Sequence, residues 1–141
     1  MESLIRNRLI LQEKVRDLTS DNLQREAEKV KLPEADRLFL EKMHAYLDSR
    51  LEEADFNVAD AARAIGMSYS SLYAKVKAVT GVTPQSYMTR YRMNIARQLL
   101  QEGTLNVSEV AYRVGSSSPS TFSREFKNHF GYPPSQVRKQ D

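Results

Sequence analysis

The side chains that could do chemistry in this sequence are two histidines, a crowd of serines, and a band of lysines and arginines. His44 has the imidazole a phosphoryl acceptor needs, but no acidic neighbour to assist it, so it reads as a surface or partly packed histidine. His129 falls near the C-terminal end of a helix, where a cation is favoured, and reads as structural or solvent-exposed. Ser68, Ser70, Ser71, Ser116, Ser117, Ser118, Ser120 and Ser123 have no base in sequence view. They cluster at helix starts, where serine has an ordinary capping role. The absence of cysteine excludes a disulfide framework, thiolate chemistry and a zinc finger. There is no histidine pair at metal spacing, no glycine-rich phosphate loop and no Gly-x-Ser-x-Gly elbow. No catalytic residue, metal ligand or cofactor is therefore expected, and the chain does not read as an enzyme.

Recognition by the basic residues is left. The net charge is only +3, yet its placement is uneven. Residues 1–33 carry seven basic and six acidic groups, residues 34–57 three and seven, and residues 58–141 eleven and five. The last segment thus holds the positive excess, as expected of a part that meets a polyanion.

The elements that must position these cations come from a stretch that occurs twice, Val58 to Pro84 and Val107 to Pro134. Each copy has an alanine four residues before a glycine: Ala62 with Gly66, and Ala111 with Gly115. Each then has serine-rich turn residues and two apolar anchors four residues apart, Leu72/Val76 and Phe122/Phe126. Lys77 or Lys127 follows, and each copy closes on glycine and proline, Gly81 to Pro84 and Gly131 to Pro134. The offset is 49 residues at Gly66/Gly115 and 50 at Pro84/Pro134, so one residue has been inserted in the second turn.

Each copy reads as a helix-turn-helix. The alanine allows the helices to cross closely, and the glycine supplies a left-handed turn residue. Ser68 and Ser118 cap the second helix, and Pro119 suits its first position. The pattern predicts helices over 58–65, 69–80, 84–102, 107–114 and 119–130, and a short one from Pro134 to Arg138. Asn57 and Asn106 are N-caps, with Phe56 as a hydrophobic staple. The connecting helix from Pro84 to Glu102 would be nearly 30 Å long at about 1.5 Å per residue, close to one turn of B-DNA at roughly 34 Å.

Upstream, Glu34 to Glu53 reads as an amphipathic helix with Leu38, Phe39, Met43, Tyr46, Leu47 and Leu51 on one face. Residues 1–32 contain no glycine or proline and read as one further helix. Leu4, Leu11, Val15 and Leu18 give it a thin stripe, suited to a marginal coiled coil or to an exposed connecting helix. Pro33 separates this linker, residues 1–33, from the remainder, 34–141. No apolar run approaches the roughly 18 residues of a membrane span.

The stretch from Phe39 to Lys139 resembles the DNA-binding domain of AraC/XylS-type transcriptional regulators. The match is carried by Val107-Ser108-Glu109-Val110-Ala111, Gly115, Pro119 through Lys127, Gly131 and Pro133-Pro134-Ser135, and by Arg92, Ala96, Leu99 and Leu100 in the connecting helix. The charged N-terminal helix followed by Phe39-Leu40-Glu41-Lys42 further resembles the output end of hybrid two-component regulators. The resemblance implies an all-α fold with two helix-turn-helix subdomains joined by the long helix. Their recognition helices would enter successive major-groove segments of double-stranded DNA. Tyr69, Ser70, Ser71, Tyr73 and Ala74 would face DNA from the first, and Ser120, Thr121 and Arg124 from the second. Lys77, Lys127, Arg90 and Arg92 would lie near phosphates. Two positions depart from the family pattern. Ala74 stands where arginine is frequent, and Ser116 where phenylalanine is usual, a loss of about 1.5–3 kcal/mol of packing at a buried site.

The resemblance implies a sequence-specific DNA-binding regulator, expected to be cytoplasmic, its full-length form membrane-anchored if upstream segments supply the anchor. RNA polymerase, an upstream receiver or kinase domain, and a second copy weakly paired through residues 1–32 are its implied partners. The competing class is a helical protein-interaction module that has lost DNA binding, for which Ala74 and the modest net charge speak.

Overall fold

Residues 2–53 and 57–138 are described by a computed structural model, and every regular element among them is helical. The order is α1 Glu2–Val15, α2 Leu23–Val30, α3 Glu34–Ser49, α4 Val58–Ala64, α5 Tyr69–Thr80, α6 Pro84–Glu102, α7 Val107–Arg113 and α8 Pro119–Phe130, then a 3₁₀ turn, Pro134–Gln136. No helix among these residues is long and apolar enough to cross a membrane. Phe56, expected as a staple, lies outside the described residues.

The helix limits follow local chemistry. The Asn57 side chain accepts from the Asp60 N–H at 2.9 Å. Asn106 and Glu109 form a reciprocal capping box, at 2.8 and 3.0 Å. Thr83 accepts from the Ser86 N–H at 3.2 Å and starts α6. Gly81 and Gly131 end α5 and α8 in the left-handed conformation.

The single helix expected over 1–32 is corrected to two, α1 and α2. The breaker is polar rather than glycine or proline: the Asn22 side chain accepts from the Thr19 N–H at 2.9 Å and holds a turn at Thr19–Asn22. Short polar side chains compete with the helical backbone in this way. α3 also stops at Ser49, short of the expected Glu53, and the Ser49 hydroxyl donates to the Tyr46 carbonyl at 2.7 Å.

The helices group into two compact units. The first is built from α1 to α5 and α6 as far as Tyr91; the second from Arg92 onward with the turn after Arg50. Val15, Leu40, Met43, Leu47, Ala61, Leu72, Val76 and Tyr87 are fully buried in the first. Leu18, Leu23 and Ala27 are buried there as well, so the N-terminal segment contributes to this core and Pro33 is not a packing boundary. The second core comprises Met93, Ala96, Leu100, Val110, Ala111, Val114, Phe122 and Phe126. α6 buries Tyr87, Met88 and Tyr91 in its first half and changes to a different stripe, Met93, Ala96 and Leu100, in its second.

Candidate nucleic-acid interface

The two copies fold alike around their turns. The Ser68 hydroxyl accepts from the Ser71 N–H at 3.1 Å, and Ser118 from the Thr121 N–H at 3.2 Å. Leu72 and Val76 anchor the back of α5, and Phe122 and Phe126 the back of α8, all fully buried. The extra residue lies in the second turn: four residues, 65–68, join α4 to α5, and five, 114–118, join α7 to α8. Ser116, where a packed aromatic is usual, is half-buried, and its hydroxyl donates to the Ser118 carbonyl at 3.1 Å. In this chain that position serves the turn.

With their backs buried, the helices present their other faces. On α5, Tyr69, Ser70, Ser71, Tyr73, Ala74 and Lys77 are all exposed. The Tyr69 and Tyr73 rings stack with centroids 6.4 Å apart. On α8, Ser120, Arg124 and Lys127 are exposed, and Thr121 is half-buried. Several hydroxyls are tied into the caps. Ser68 donates to the Ser71 hydroxyl at 2.9 Å, and Ser118 to Thr121 Oγ1 at 2.9 Å, with Ser120 Oγ 3.3 Å from Ser118 Oγ. At the repeat offset of 50 residues, Ala74 and Arg124 occupy equivalent positions. One copy thus offers a pair of phenols and the other a guanidinium.

Arg90 and Arg92, two of the three arginines of α6, hold partners within the protein. Arg90 makes a bidentate pair with Asp17, with both contacts at 2.9 Å. Arg92 is half-buried and donates through Nη2 to the Glu53 carbonyl at 2.6 Å. Burial lowers its pKa, opposed by the charge of Glu125. Lys75, not singled out from the sequence, pairs with Asp36 at 2.6 Å. Arg97 lies over the Phe130 ring, 4.5 Å from its centroid.

His44 corrects the expectation of a surface or partly packed side chain. It is 2% exposed, and its Nε2 lies 2.7 Å from the Tyr87 hydroxyl. Burial lowers its pKa to about 4, against the raising effect of Asp48 one turn along α3. Tyr91 donates to Asp48 Oδ1 at 2.6 Å and lies 2.9 Å from Ser20 Oγ, and Ser20 also donates to Asp48. Burial raises the pKa of both tyrosines. Nothing in the sequence pattern pointed to this network, because Ser20 and Asp48 are 28 residues apart.

Comparison with known proteins accords with this geometry. A family model described as a helix-turn-helix domain matches residues 61–140. A protein named histidine kinase P4 of Formosa agariphila is 31% identical over 105 residues, which are 74% of this chain and 8% of that protein. A putative AraC-like transcription regulator of Streptomyces lividans is 39% identical over 84 residues, 60% of this chain and 28% of that one. The chain therefore spans less than a third of the length of either relative. Among solved structures, the DNA-binding domain of AdpA, a global transcriptional factor in complex with a target DNA, superposes with a TM-score of 0.59 at 28% identity. That match covers 68% of this chain and 86% of the other.

Proposed function

The chain belongs to the AraC-type helix-turn-helix family, and on that premise we propose that it is the DNA-binding output part of a longer signalling regulator. The observation that carries this reading is the paired display of α5 and α8. Each is fixed from behind by two fully buried anchors, capped by serine, and exposed along the face that holds Lys77 or Lys127. Lysine and the helix N-termini supply attraction to phosphates, which positions the protein without reading sequence. Arg124 reads base edges, guanine O6 and N7 being its geometric match. Tyr69 and Tyr73 give the first helix an apolar and hydroxyl-bearing face, with Ser70, Ser71, Ser120 and Thr121 at the helix starts. Arg90 and Arg92 serve phosphates only by exchanging the partners they hold, Asp17 and the Glu53 carbonyl.

The match to a protein named as a histidine kinase supports an upstream kinase or receiver domain as the source of the signal. RNA polymerase as a partner, a cytoplasmic location and weak self-pairing through residues 1–32 belong to the same proposal. Leu4, Ile5, Leu9 and Ile10, all exposed on α1, favour the pairing. Those residues and the engaged state of Arg90 and Arg92 are also what a protein-interaction module would show. A titration against DNA at two salt concentrations separates the readings. Neutralising six or more phosphates should cost roughly a thousandfold in affinity between about 50 and 200 mM salt. Binding that ignores salt, or no binding to DNA selected from a random library, would leave the interaction-module reading.

A further inference from the structure

α5 is held at its C-terminal end by a residue that lies outside the repeat. Gln12, on α1, is 8% exposed. Its side-chain amide donates to the Ala78 carbonyl at 2.9 Å and to the Lys77 carbonyl at 3.4 Å. Both carbonyls belong to the last turn of α5, where the supply of continuing helical N–H groups runs out. The Gly81 N–H reaches the Lys77 carbonyl at 2.9 Å, so Gln12 supplies the donor that Ala78 would lack.

The approach is close enough to constrain the cap itself. A Cβ added at Gly81 would stand 3.0 Å from Gln12 Oε1 and 3.0 Å from an Arg16 guanidinium nitrogen. The equivalent glycine of the second copy, Gly131, has nothing within 4 Å of that point. The two helices have the same length and the same cap conformation, so the difference is specific. Val15, one turn after Gln12, is fully buried in the same unit. The Lys75–Asp36 pair fastens the middle of α5 to α3.

We propose that Gln12 is a positioning residue for the first recognition helix. Through it α1 sets how α5, and not α8, is presented to DNA. The N-terminal segment is therefore a brace on one half of the reading head. Any change in the seating of α1 alters the contribution of the first half while leaving the second as it was. This rests on the DNA-binding reading given above.

The test uses Gln12→Glu, which sets a carboxylate against two carbonyls, and Gln12→Met, which keeps length and removes the donor. The probe is a duplex selected by the parent chain from a random 30-base-pair library. Helicity should be unchanged in both variants. Gln12→Glu should bind about tenfold more weakly, the scale of one hydrogen bond at a base edge. The lost footprint should be confined to the segment read by α5, and base changes in the α8 segment should keep their full penalty. Amide exchange in the last turn of α5 should quicken, with that of α8 unchanged. Parent-like footprints in both variants, an equal loss over both segments, or a fall in helicity in both variants would each overturn the assignment. Should the parent select no DNA, the DNA-binding reading fails, while the exchange comparison of α5 with α8 still decides the role of Gln12.

Discussion

The Nε2 of His44 and the hydroxyl of Tyr87 lie 2.7 Å apart in the buried centre of the first unit. The imidazole is neutral there, its pKa lowered by burial to about 4 from 6.5. In that interval the unfolded chain binds a proton that the folded chain does not, so stability falls as pH drops from about 6.5 towards 4 and is fully present above it. The full effect is about 3 kcal/mol at 1.36 kcal/mol per pK unit. Thermal melts at pH 7 and pH 5.5 should therefore show a loss for the parent that His44→Gln lacks. Equal slopes for the two would deny His44 the effect.

Gly66 and Gly115 occupy equivalent turns with positive φ, 75° and 82°. Their surroundings differ. A Cβ at Gly66 meets nothing within 4 Å, while one at Gly115 would lie 2.7 Å from the Leu51 carbonyl oxygen and 3.0 Å from that of Glu53. Gly66→Ala should cost only the backbone penalty, about 1–2 kcal/mol. Gly115→Ala should cost more, because backbone must shift as well. Urea denaturation of the two variants measures the difference, and equal midpoints would contradict it.

Arg124 projects from the exposed face of α8 at the position that Ala74 holds on α5. Arg124→Ala should cost about 1–3 kcal/mol of specific binding and relax discrimination at one base pair, leaving helicity unchanged. A mutant that binds its selected site as the parent does, at moderate salt, would remove Arg124 from base reading.

The repeat was legible because turn chemistry is local. Gly66, Ser68, Gly115, Ser118 and Pro119 specify their neighbours' backbone, and α5, α6 and α8 run between the residues the sequence predicts. The N-terminal segment was not, for two reasons. The turn at Thr19–Asn22 is made by side-chain hydrogen bonding, which a search for glycine and proline overlooks. The value of Gln12 depends on carbonyls 65 and 66 residues away, and no periodicity reports such a pairing. α6 serves two cores, Tyr87, Met88 and Tyr91 in one and Met93, Ala96 and Leu100 in the other, so no single stripe describes it. Among candidate contacts, the α5 and α8 residues were carried over from the family resemblance, whereas the partners of Arg90 and Arg92 come from distant segments.

Residues 1–32 were expected to be separable from DNA binding, and the packing of the first unit leads to a different expectation. Val15, Leu18 and Leu23 are at most 7% exposed, and full burial of such side chains contributes about 1.5–3 kcal/mol each. Their sum is comparable with the roughly 5–15 kcal/mol that holds a domain folded. The bonds from Gln12, Asp17 and Ser20 are lost with them. Deleting residues 1–32 should therefore unfold the first unit and leave the second intact. Helical signal should fall by more than α1 and α2 account for, while amides around Phe122 and Phe126 stay protected from exchange. The same packing limits self-association. Val15 and Leu18 face their own unit, leaving only Leu4, Ile5, Leu9 and Ile10 as an exposed apolar set on α1, less than the sustained heptads a stable coiled coil requires. Sedimentation of the 141-residue chain should thus show mostly monomer at micromolar concentration. A truncated chain that keeps the parent's melting temperature and the helicity of α3 to α5 would show that the N-terminal segment is a separable linker after all.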